Sequence, residues 1–219
     1  MPRSARTTRG TTRRSVWAVR ALVPVLALGL VWLIAGWVVF QHPRTDAPAR
    51  SDALLVLGPP DRTRMAEALR LMDAGVAPVL VVANPGTRDL GDASGKVYYA
   101  RAAQTCAQDG NRDGGRGYEV ICFRPDPSTT QGEAMELRAL SEQRGWDHVS
   151  VLTYRQHVAR SRLLLQRCYT GELDVLSFDY PDVPRGVLRE FVYQSGGFVK
   201  AWLTPGCDQQ LPWRPKSVD

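Results

Sequence analysis

The residues best suited to chemistry in this chain are cationic or hydroxylic, and they stand where short apolar runs end. Gly58 follows the first run, with Arg64 six residues on. Thr129, Thr130 and Glu133 follow the third, and Thr153, His157 and Arg160 close the fourth. His157 and Arg160 are three apart, so on a helix they share one rim. Guanidinium groups and the free N–H groups of helix starts both favour negative charge. The set predicts an anion site, for a phosphate or a carboxylate, with Gly58, Arg64, Thr129, Thr130, Thr153 and Arg160 as its ligand-binding residues. If the site is catalytic, His157 is the group placed to exchange a proton near neutral pH, with Glu133 beside it. Two plainer readings use the same residues. The arginines can pair with Asp52, Asp61 or Glu133 and brace the loops. Thr130-x-x-Glu133 also has the form of a capping box, in which the glutamate bonds back to the helix cap.

Standard catalytic patterns are missing: there is no G-x-S-x-G, no Walker loop, no G-x-G-x-x-G and no H-E-x-x-H. His42, His148 and His157 are too scattered for an evident metal site, so neither metal nor cofactor is expected. Asp109-x-Asn111-x-Asp113-Gly114 matches the start of a calcium loop, but position twelve is Val120 rather than glutamate. A polar loop is the preferred reading there. Ser195-Gly196-Gly197 falls in a helix-like stretch, where small residues permit close packing.

Positioning these groups requires a scaffold, and the apolar periodicity supplies one. Continuous runs over 53–57, 78–82, 119–123, 149–152 and 173–178 read as strands covered on both faces. Helical spacing separates them over 64–74, 97–107, 130–144 and 157–168, and a last helix is expected over 185–203. Alternation of this kind predicts an α/β fold, a Rossmann-like three-layer parallel sheet of about five strands. Ligands of such sheets sit beyond the carboxyl ends of the strands, where the polar residues above converge. Residues 84–95 read as a loop able to form a lid, and 108–117 as a flexible connection.

Ahead of the domain lies a different solvent. Residues 21–40 carry no charge, and at about 1.5 Å per residue they cover roughly 30 Å, the thickness of a bilayer's hydrocarbon core. Trp17 and Trp37 flank the run, as indoles do at membrane interfaces. Six arginines and no acid fill residues 1–20, which puts that tail in the cytoplasm and residues after 40 outside. A cleaved signal peptide is the rival reading, against which the apolar run is too long. The expected organisation is a basic tail over 1–20, a transmembrane helix over 21–40, a tether over 41–51, a domain over 52–205 and a tail over 206–219.

Setting aside those six arginines, the remaining 22 basic residues balance 22 acidic ones. A neutral domain has no electrostatic footprint for nucleic acid. Cys106, Cys122, Cys168 and Cys207 are even in number, which outside the cytoplasm suggests two disulfides. Of three connectivities, Cys168–Cys207 with Cys106–Cys122 is favoured, although the second pair risks lying on opposite edges of the sheet.

The order Asp52-Ala-Leu-Leu-Val-Leu-Gly58, Arg64, Val79–Val82, Ser128-Thr129-Thr130-x-x-Glu133-Ala134, Val151-Leu-Thr153 and His157-x-x-Arg160 resembles the YdcF/SanA/ElyC-like family, over most of the outer domain. The resemblance implies a Rossmann-like domain behind one membrane helix and a role in envelope integrity or peptidoglycan processes. Arg64, Glu133, His157 and Arg160 are then its polar cleft. Pro59-Pro60 and Asn84-Pro85-Gly86 depart from the family's glycine-rich loops and remove N–H donors there. One branch is linked to S-adenosylmethionine, which is scarce outside the cytoplasm. The expectation is a membrane-anchored protein that binds an anionic cell-wall precursor or glycan. The alternatives are a hydrolase or transferase acting on a phosphate ester, and a non-catalytic partner-binding module.

Overall fold

The computed structural model describes residues 9–58, 60–83, 100–109, 117–180 and 186–208, with side chains from residue 20 onward except those of 108 and 109. The proposed lid over 84–95, Asn111 and Asp113 of the calcium-like run, and the tail beyond 208 lie outside the described residues.

Helix α1 (Arg9–Gly36) leads through a π-helical turn (Trp37–Gln41) into β1 (Ala53–Val56), α2 (Arg62–Asp73), β2 (Val79–Ala83) and α3 (Ala100–Asp109). Then come β3 (Glu119–Phe123), α4 (Thr130–Arg144), β4 (His148–Tyr154), α5 (Val158–Leu165), β5 (Glu172–Phe178) and α6 (Val187–Leu203). All strand pairs are parallel, in the order β3-β2-β1-β4-β5. The fold is thus the expected α/β sheet of five strands, preceded by one helix long and apolar enough to cross a membrane, Arg20–Gln41.

The continuous apolar runs are explained by two covered faces. Leu54, Val56, Leu80, Val82 and Val120 pack under α2 and α3. Ala53, Leu55, Val79, Val81 and Ile121 point the other way, under α4 and α5. Because strand side chains alternate, each short run fills both cores at once. β1 and β2 are fully buried, whereas the edge strands β3 and β5 are partly exposed.

Both cysteine pairings are formed, Cys106–Cys122 and Cys168–Cys207. The risk of opposite edges does not arise, because Cys122 lies two residues beyond Val120 and so faces α3, where Cys106 waits one helical turn after Ala102. The second bond closes over the other face. The two bonds therefore staple opposite layers.

The segment over 41–51 is more than a tether. Asp46 donates its N–H to the Val175 carbonyl and accepts the Val175 N–H on its carboxylate, 2.8 Å away, so it caps the open edge of β5. Arg162 holds the same carboxylate at 2.6 Å. Burial pushes this carboxyl up, but the Val175 N–H and Arg162 outweigh that and keep it below its ordinary value. The strand order reverses between β1 and β4, which opens a crevice above their carboxyl ends.

Candidate functional site

Gly58 leaves β1 at this crevice, and its N–H donates to the Glu133 Oε1 at 2.5 Å. The glutamate belongs to the first turns of α4, whose cap is Thr129: its hydroxyl accepts the Gly132 N–H. This corrects the capping-box expectation. Thr130 is inside the helix, and Glu133 bonds the Thr130 hydroxyl and the Gly58 backbone instead of the cap's own N–H. It is spent on the crevice. Burial pushes the Glu133 carboxyl up to about 7, despite the Gly58 N–H and the nearby Arg64 and Arg160 charges, which pull the other way.

His157 sits behind it, almost wholly buried, at the end of a 3₁₀ turn (Arg155–His157) that leads from β4 into α5. Its Nδ1 lies 3.0 Å from both the Thr153 and Ser161 hydroxyls, and its Nε2 lies 3.4 Å from the Thr130 hydroxyl. Burial first, then the Arg160 and Arg64 charges, hold the ring well below its ordinary value, so it is neutral at physiological pH. The expected role in proton exchange near pH 7 therefore fits Glu133 better than His157. The imidazole acts as a fixed hydrogen-bonding post.

Arg64 is also buried, 1 % exposed, which requires partners for its charge. Nη1 donates to the Leu57 carbonyl and Nη2 to the Tyr180 hydroxyl at 3.3 Å. The guanidinium lies over the rings of Tyr154 and Phe178, 5.5 and 5.8 Å from their centroids. Its Nε–H finds no partner among the described residues. Asp61 caps α2 through the Arg64 N–H and accepts the Tyr180 hydroxyl, so it braces this arginine's backbone rather than forming an ion pair with it. Asp52 turns to the N–H groups of Asp147 and His148.

Arg160 is fixed differently. Its Nε donates to Gln194 at 2.9 Å; Gln194 donates to the Tyr154 hydroxyl and to Glu190, and Tyr154 donates to Glu190. Tyr154 also stacks on His157, at 5.3 Å and 21°. Burial, then Glu190, push the Tyr154 hydroxyl up; burial pushes Tyr180 up as well. Gly197 lets Arg160 pass close by α6, since a Cβ there would lie 2.6 Å from the arginine's Cδ.

The structure thus joins five of the eight expected residues, Gly58, Glu133, Thr130, His157 and Thr153, in one chain of hydrogen bonds; Arg64 and Arg160 act on Glu133 and His157 through their charges, and Thr129 stands at the mouth as the α4 cap. Beside it opens a small cleft lined by Thr129, Thr130, Gln131, Arg160, Lys200 and Thr204, with no carboxylate among its described lining residues. Ser161, Tyr180, Glu190, Gln194 and Lys200 were not foreseen. Glu190 and Gln194 left a readable sign, two polar residues four apart on a largely apolar helix. Tyr180 left none. Among the described residues no group of three or more potential metal-ligating side chains occurs. Comparison with protein-family models, curated proteins and solved structures returned no match for this chain.

Proposed function

We propose that this chain is a membrane-anchored protein whose domain lies outside the cytoplasm, akin to the YdcF/SanA/ElyC-like family. In this reading it serves cell-envelope or peptidoglycan homeostasis by binding an anionic precursor or glycan above β1 and β4. One observation carries the ligand class: the open cleft presents Arg160, Lys200 and threonine hydroxyls without a facing carboxylate. Cations there are not neutralised within the cleft, and an incoming phosphate or carboxylate would meet them. The arginine-rich N-terminal flank and the two bonded cysteine pairs support export of the domain.

The test uses the full chain in detergent, with inorganic phosphate, phosphorylated sugar headgroups and muropeptides as probes. A true ligand at a hundredfold excess over its Kd stabilises by about 2.7 kcal/mol. The shift should fall sharply in Arg160→Ala and Lys200→Ala and weaken with salt. Stabilisation by none of the probes, or equal stabilisation of the variants, removes this reading.

A second reading, a hydrolase or transferase acting on a phosphate ester, is favoured by Glu133. A carboxyl at about 7 both gives and takes a proton near neutrality. Turnover of such an ester that survives in Glu133→Gln would exclude Glu133 as its acid or base.

A further inference from the structure

Helix α6 wears its apolar residues on the outside. Leu188, Val192, Val199 and Leu203 recur at intervals of four, seven and four, which places them on one stripe, with Trp202 at its edge; each is more than half exposed. The opposite side of the helix buries Glu190 and Gln194. A face of this kind costs stability in water and calls for a covering.

The helix beside it indicates what the covering is. Within the described side chains of α1 and its π-helical turn, only Trp32, Gly36, Phe40 and Gln41 are withdrawn from full exposure, the first three at intervals of four. They pack on α6. The Phe191 ring lies 6.2 Å from the Trp32 ring and 5.5 Å from the Phe40 ring, and Phe198 lies 6.1 Å from Phe40. Gly36 is needed for this approach, because a Cβ there would lie 2.6 Å from the Phe191 ring. The Trp32 indole donates to the Ser195 hydroxyl at 3.1 Å. Trp32 stands nine residues before Gln41, the last residue of the apolar span, or about 14 Å at helical rise. If the span crosses a bilayer with a hydrocarbon core of about 30 Å, Ser195 is held near its middle. α6 cannot then stand clear of the lipid. The indole–hydroxyl bond also satisfies a polar group at that depth.

We infer that α6 is a second membrane element, its Leu188–Val192–Val199–Leu203 face bathed by the lipid of the outer leaflet beside α1. Charge agrees. Apart from the buried Glu190, the charged groups of α6 are Arg189 and Lys200, each one residue, and so about 100° round the helix, from a stripe residue on the same flank. From there both can reach headgroups. Lys200 also lines the cleft, which places that opening within a helix diameter of the lipid surface.

The inference rests on α1 spanning the bilayer, and the experiment separates the two. The full chain, its native cysteines oxidised, is reconstituted in vesicles of phosphatidylcholine and phosphatidylglycerol. Spin labels are placed singly by Val192→Cys, Val199→Cys, Arg189→Cys and, on α1, Leu26→Cys. Collision rates are read with oxygen, which partitions into lipid, and with a water-soluble nickel chelate. The expected oxygen-to-nickel ratio is severalfold higher at 192 and 199 than at 189, and high at 26. A high ratio at 26 with a water-like ratio at 192 and 199 overturns the α6 inference alone. A water-like ratio at 26 as well overturns the spanning reading with it. Labels at 192 and 199 shielded from both reagents would mean that a second copy of the chain covers the face, and would equally overturn the inference.

Discussion

Helices α2 and α6 are both amphipathic and are turned opposite ways. α2 sends Met65, Ala68, Leu69 and Met72 into the core and leaves Arg62, Arg70 and Asp73 outside. α6 buries Glu190 and Gln194 with Phe191 and Ala201, and shows its leucines and valines outward. The difference teaches what each helix is for. α2 is held to the sheet by apolar burial, the ordinary cement of an α/β layer. α6 faces the site with hydrogen-bonding groups, which contribute little net stability each, so its grip on the domain must come largely from elsewhere. The Cys168–Cys207 bond just beyond its C-terminus is the evident candidate, helped by Gln131 donating to the Cys207 carbonyl at 2.7 Å.

The largest effect should therefore come from removing that bond. It closes a loop of 39 residues. In the chain-entropy account such a loop is worth about 4 kcal/mol. Cys168→Ala/Cys207→Ala in detergent should lose stability on that scale. Amide exchange should rise over α6 well before it rises over α2. Equal loss of protection in both helices would show that the bond stabilises the domain as a whole and that α6 needs no special fastening.

A pair of truncations tests the contrast itself. Met65→Ala deletes core contacts and should cost about 3 kcal/mol, within the range for buried methionine and leucine. Leu188→Ala truncates a residue that is 60 % exposed, and in detergent should shift stability by about 0.5 kcal/mol or less. Chemical denaturation of the two variants measures both. A cost above about 1.5 kcal/mol for Leu188→Ala would mean that the stripe is packed against protein.

How much of this could be read beforehand depends on which force decided each feature. The sheet was legible because 53–57 and 78–82 are apolar without interruption yet too short for a helix, as strands covered on both sides should be. α4 was legible over 130–144 because Thr129-Thr130 opens it and Gly145, at φ 68°, closes it. The role of Glu133 was not, because the motif that suggests a cap cannot register the Gly58 N–H, 75 positions away in the chain. His157 was read as a titrating group near neutrality; burial, then the Arg160 and Arg64 charges, lower it instead, and no local pattern encodes that. α6 was the hardest. Ordinary patterning would turn its stripe inward, and the opposite orientation follows only once α1 and the polar crevice are both in place. The 41–51 segment looked like a tether because Pro and small polar residues say nothing about an edge strand waiting to be capped by Asp46.

The smallest effect is a slope, and it probes the polar side of the same comparison. Glu133 has its folded value raised from 4.5 to about 7, so its contribution is full below about pH 4.5 and is lost as pH rises through 7. His157 has its folded value lowered from 6.5, so its contribution is full above about 6.5 and is lost as pH falls. Below about pH 6.5 the unfolded chain holds more proton than the fold at the histidine, and above about pH 4.5 it holds less at the glutamate. The two slopes are therefore opposite in sign where they overlap. Wild-type stability should accordingly change less across this window than it does in a variant that lacks either group. Glu133→Gln leaves the histidine alone, and stability should then climb with pH up to about 6.5. His157→Gln leaves the glutamate alone, and stability should fall from about pH 4.5 towards 7. Denaturation midpoints at half-unit steps of pH would show the two variants diverging in opposite directions from the parent. Parallel lines for all three proteins would mean that these groups titrate alike in the folded and unfolded chain, and that the crevice is wet enough to leave their charges undisturbed.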